Sequence, residues 1–94
     1  MNIKLFVWNA DKSRLLKAER GVSFEEVMFC IANEQLLDVV KHPNAERYGH
    51  QHVFVVRIDQ YVYLVPFVES ETEIFLKTII PSRKATRQYL KGAA

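Results

Sequence analysis

Arg83, Lys84, Arg87 and Lys91 fall within nine positions in the stretch PSRKATRQYLKGAA, and no acidic residue follows Glu73. A helix turns about 100° per residue, so Arg83, Arg87 and Lys91 stack in i+4 steps with Lys84 at the edge of the same arc. Ala85, Thr86, Tyr89 and Leu90 take much of the other side, where such a helix would dock. The plainest reading is a solvated basic face. Two features add to it. No carboxylate is interleaved to form i,i+4 ion pairs, so the cations repel one another. Arg83 and Lys84 also lie at the helix start, where the backbone dipole disfavours positive charge. Cations held against both costs suit an anionic partner, and phosphate matches the arginine fork.

Other chemistry-bearing residues are fewer. Arg57 interrupts a β run of valines, and it either points to solvent or reaches into a cleft beside the sheet. Lys17 and Arg20 close a helix-forming segment, where the dipole favours cations. His50-x-His52 would put two imidazoles on one strand face, a ligand-like arrangement that no nearby acidic pair completes. Ser13, Ser23, Ser70 and Ser82 lack a Gly-x-Ser-x-Gly elbow, and Ser23 and Ser82 read as helix caps. Gly21, Gly49 and Gly92 are isolated, so neither a P-loop nor a dinucleotide fingerprint is present. The expectation is a chemistry without metal or cofactor.

The elements that must position these groups follow from the pattern. Residues 3–8 read as a strand. Asn9 caps a first helix that stops at Gly21. Ser23 and Glu26 form a capping box for a second helix, whose apolar stripe is Phe24, Val27, Met28, Ile31 and Ala32. QLLDVVKH is a short strand. HVFVVRI and YVYLVPFV form a hairpin about Asp59-Gln60, with Pro66 marking an edge or a bulge. IFLKTII forms one last strand before Ser82 caps the basic helix. The order β-α-α-β-β-β-β-α predicts a single α+β domain over residues 1–94, an antiparallel meander carrying the two early helices on one face.

Composition sets the class. The 94 residues are 49% apolar and 26% charged with a net charge of +2, the balance of one globular domain. The charge is uneven: Lys12–Arg20 and residues 77–94 are basic, whereas carboxylates concentrate in Glu25–Asp38 and Glu69–Glu73. A single cysteine, Cys30, excludes a disulfide framework, and no apolar run approaches the length of a membrane span. A cytoplasmic protein without membrane partners is expected.

Three stretches in register carry a resemblance: FVWNADK at the start, RGVSFEEV at the second helix and PSRKAT at the close. Together they make the chain resemble the BrnT-type toxins, small ribonucleases of bacterial type II toxin–antitoxin pairs related to the RelE fold. The resemblance implies metal-independent RNA cleavage that inhibits growth. It implies neutralisation by a cognate antitoxin, typically a ribbon-helix-helix (CopG-like) protein, with operator DNA contacted only through that antitoxin. Functional residues would be Arg57, Arg83 and Arg87 clamping the phosphate, with Lys17, Arg20, Lys84 and Lys91 contacting RNA. His50 is a candidate for proton transfer, beside Lys17 and Tyr89. Two departures stand out: Glu19-Arg20-Gly21 replaces the common Lys-His-Gly, and Gln88-Tyr89-Leu90 lacks the late acidic residue. A non-catalytic nucleic-acid- or antitoxin-binding module, and a homodimer through the apolar hairpin, remain compatible with the same residues.

Overall fold

The computed structural model describes residues 4–42 and 51–90. In chain order the elements are β1 (Leu5–Val7), α1 (Ala10–Arg20), α2 (Phe24–Ala32), β2 (Leu36–Lys41), β3 (Gln51–Ile58), β4 (Tyr61–Glu69), β5 (Glu73–Leu76), β6 (Ile80–Pro81) and α3 (Arg83–Tyr89). The α+β class and the sequence of helices and main strands agree with expectation.

Local chemistry explains the helices. The Asn9 side chain accepts the Lys12 N–H, and α1 ends at Gly21 with φ 77. For α2, Ser23 and Glu26 form both halves of the capping box. Its far end is a Schellman turn: Gln35 N–H reaches the Cys30 carbonyl and Glu34 N–H reaches Ile31. The left-handed position there is occupied by Glu34, φ 64, rather than glycine. Phe24 and Val27 are buried, Met28 and Ile31 pack against the core, and Ala32 is left exposed.

The sheet runs β1-β5-β4-β3-β2 and departs from a pure meander in two ways. β2 to β5 pair antiparallel in sequence, but β1 lies parallel to β5, with Phe6 opposite Ile74. The sheet is therefore mixed. The expected last strand is also broken: β5 pairs with Phe67–Glu69 of β4, whereas β6 pairs with Tyr63 and Leu64. Pro66 explains the break. Its carbonyl accepts the Lys77 N–H, so its missing donor faces the same side, in the interval between β5 and β6. The proline thus sits within an interior strand, opposite a gap rather than on an edge.

Asp59, φ 58, opens the two-residue turn joining β3 to β4, as hairpin geometry requires. Alternation along that hairpin gives the sheet two unlike faces. Phe54, Val56, Ile58, Val65 and Phe67 join Leu16, Phe24 and Val27 beneath α1 and α2. Val55 and Val62 face the other way and meet Ala85 of α3, with Leu37, Leu64, Tyr89 and Leu90 around them. No helix among the described residues is long and apolar enough to cross a membrane.

Candidate functional site

α3 is fastened to the sheet through one residue of β4. Ser82 N–H donates to the Val62 carbonyl at 3.0 Å, and Val62 N–H donates to Thr86 Oγ1 at 2.9 Å. The Thr86 hydroxyl in turn donates to the Ser82 carbonyl, and Ser82 Oγ caps the helix by accepting the Ala85 N–H. Ala85 is the small residue that lets the helix approach Val55 and Val62. Arg83, Lys84 and Arg87 are left exposed on the outer side.

Arg57 belongs to the same face. Its register partner across the hairpin is Val62, the residue on which α3 is fastened. Its Nε–H donates to the Asp59 carbonyl, which folds the side chain toward the hairpin turn. Arg57 is half-buried, on the sheet face that α3 covers. Among the described residues, the three ion pairs are Lys4–Glu69, Arg14–Asp11 and Lys17–Glu26. None includes Arg57, Arg83, Lys84 or Arg87.

The same face holds a contact that sequence reading missed. Tyr89 donates its hydroxyl to Asp38 Oδ2 at 2.8 Å, across 51 residues. That hydrogen bond to a carboxylate holds the Tyr89 proton and raises its pKa above the usual 10.0. A bulge makes the contact possible. Leu36 pairs with Val56 and Asp38 with Val55, so Leu37 is an extra residue and strand alternation is reset. Leu37 and Asp38 both serve the α3 face as a result; strict alternation from Leu36 would have sent Asp38 into the α1–α2 core. No motif in Leu-Leu-Asp-Val-Val announces the shift.

The helix-one cations are employed elsewhere. Lys17 Nζ donates to Glu26 Oε1 at 2.6 Å and to the Gly21 carbonyl. The Lys17 ammonium is the leading cause that holds the Glu26 carboxyl below its usual range. Arg20 donates to the carbonyl of Ile79, tying α1 to the segment that leads into β6. Both belong to the α1–α2 side, so the structure does not gather them with Arg57, Arg83 and Arg87. Ser13, weighed as a nucleophile, is buried and fully engaged: it accepts the Phe24 N–H and donates to Glu25. His50 and Lys91 lie outside the described residues. His52 stacks on Phe67 with centroids 5.8 Å apart, on the α1–α2 side.

A search against family models, curated proteins and solved structures finds no match for this chain.

Proposed function

We propose that this chain is the toxin of a bacterial type II toxin–antitoxin pair, a metal-independent endoribonuclease of BrnT type on a RelE-like scaffold, acting in the cytoplasm. The observation that carries the reading is the face on which Arg57 and α3 share Val62 as a common neighbour, with Arg83, Lys84 and Arg87 in no ion pair among the described residues. In the reaction, a ribose 2′-OH attacks the adjacent phosphorus and the bond to the 5′-oxygen breaks. A 2′,3′-cyclic phosphate and a free 5′-OH result. One proton leaves the 2′-OH and one arrives on the departing oxygen. The crowded, anionic phosphorus centre is where Arg57, Arg83 and Arg87 would act, as cations set around the developing charge. Lys84 and Lys91 would extend the contact along the backbone, whereas Lys17 and Arg20 are engaged on the α1–α2 side and take no part in this clamp. For proton transfer, Tyr89 is the candidate on the α3 face, while His50 remains the sequence-based alternative. The partner is a ribbon-helix-helix antitoxin, through which operator DNA is contacted.

A second reading has one observation in its favour. Tyr89 is held protonated against Asp38, which suits a stacking or donor role better than a base. In that reading the face binds RNA or an antitoxin without cutting. Induced expression in a bacterial host separates the two. Growth arrest, with RNA fragments ending in cyclic phosphate, is expected for the wild type and abolished in Arg83→Ala/Arg87→Ala. Salt-sensitive RNA binding with unimpaired growth would establish the non-catalytic module instead.

A further inference from the structure

α3 crosses three strands. Ser82 and Thr86 are bonded to Val62 of β4, Ala85 packs on Val55 of β3, and Tyr89 reaches Asp38 of β2. Among the described residues, Asp38 is the carboxylate that a side chain of α3 hydrogen-bonds. It is held from two sides: Oδ1 accepts the Val39 N–H and Oδ2 accepts the Tyr89 hydroxyl, both at 2.8 Å. A carboxylate offers about four lone-pair sites, so each oxygen keeps one, and Asp38 is exposed. Its presence on this face has two costs. The bulge that turns it there interrupts the ladder between β2 and β3. Its negative charge also opposes the binding of phosphate. Nor does it neutralise Arg57. Asp38 lies opposite Val55, which makes Arg57 its diagonal neighbour, at a separation of roughly 7–8 Å for such pairs. Yet the two form no ion pair, and Arg57 donates to the Asp59 carbonyl instead. A carboxylate placed beside cations at a cost, oriented by two donors and left open to solvent, suits proton transfer.

We infer that Asp38 is the general base that takes the proton of the ribose 2′-OH, with Tyr89 as the residue that positions it; the inference rests on the ribonuclease reading above. Tyr89 itself is unsuited to the task, because its proton is held by the hydrogen bond it donates to Asp38. In the step, a free lone pair of Asp38 accepts the 2′-OH proton while the 2′-oxygen bonds to phosphorus. The bond from phosphorus to the 5′-oxygen breaks, and its electron pair leaves with that oxygen, which takes a proton from water. The hydroxide so formed recovers the proton from Asp38. The carboxylate is restored, and no proton is gained or lost over the cycle. Tyr89 keeps its own proton throughout and holds Oδ2 in place, so the base needs no search for its position as the substrate arrives.

The test separates binding from cleavage in the full chain. Binding is measured with a randomised 2′-O-methyl oligoribonucleotide, which cannot be cut because its 2′-oxygens are blocked. Cleavage is measured in a bacterial extract, which supplies both free and ribosome-bound RNA, as the rate at which 2′,3′-cyclic phosphate ends appear. Asp38→Asn keeps the shape of the side chain, but its neutral amide takes no proton. It should bind the blocked RNA at least as tightly as the wild type, since one opposing charge is gone, and cleave about 10²- to 10⁴-fold more slowly. Tyr89→Phe should lower kcat by up to about 100-fold with KM unchanged, the scale of a misplaced catalytic group. Retained binding also verifies that each variant is folded. Cleavage by Asp38→Asn at the wild-type rate overturns the assignment while leaving the ribonuclease reading intact. A loss of cleavage matched by an equal loss of binding overturns it too, because Asp38 would then serve only to place α3. An absence of cyclic phosphate ends with the wild-type protein overturns the ribonuclease reading, and the assignment falls with it.

Discussion

The two faces of this sheet are built on different terms. Beneath α1 and α2, eleven buried residues form one cluster, and α2 is held by a capping box, a Schellman turn and the Lys17–Glu26 pair. Beneath α3, the buried cluster is Val55, Val62 and Ala85, and the helix has seven residues. Apolar burial scales with area, so the first face supplies most of the stability. The second supplies a place where cations stand without partners. A short helix that is poorly stabilised by its own burial is free to carry repelling charges, because little of the fold depends on it.

That division is broken or sharpened by measurement. Phe24→Ala, at a fully buried position of the large face, should cost about 3–5 kcal/mol in urea unfolding. Thr86→Val, on the small face, leaves the Val62 N–H without its acceptor and should cost about 1–3 kcal/mol. Ala85→Gly should cost about 1 kcal/mol, with faster amide exchange in α3 and not in the hairpin. A loss as large as that of Phe24→Ala would sink the contrast. Glu34→Gly should stabilise by up to about 1 kcal/mol, since it relieves a side chain at φ 64 while loosening the unfolded chain. The smallest effect is on pH dependence. The folded Glu26 pKa lies below the ordinary 4.5, so the pair stabilises the fold above that value and the benefit disappears as pH falls through the depressed value. Lys17→Met should flatten this acid limb, measured as urea midpoint against pH. Arg83→Ala/Arg87→Ala, by contrast, should leave stability within about 0.5 kcal/mol while removing the RNA-dependent phenotype.

What could be read from the chain divides along the same line. Asn9, Ser23 with Glu26, Gly21 and Ser82 announce helix ends because capping is chemistry among near neighbours. The hairpin at Asp59 is equally local. The parallel partner of β1, the split of β5 from β6 and the bulge at Leu37 are not, because each depends on a strand distant in sequence. Pro66 gave half the signal: its missing donor demanded a gap, but not that the gap would fall inside the sheet. In the candidate site, the cationic stripe of α3 was legible from its i+4 spacing. That Arg57 and α3 share Val62 as a neighbour required the register of β3 on β4, and Asp38 was invisible because a one-residue slip decides which face it serves.

Asp38 has one further consequence. Its Oδ1 accepts the N–H of Val39 at 2.8 Å while Oδ2 receives Tyr89. His42 N–H bonds the Gln51 carbonyl, so pairing alternates such that the Val39 N–H points away from β3, toward the side of β2 where no described strand lies. A strand approaching along Val39–Lys41 would meet a backbone donor already occupied by a carboxylate that Tyr89 holds in place, with the charged Lys41 beside it. The outer margin of β2 carries exposed valines yet is chemically shut at that point, which guards the sheet against growing by accretion of like edges.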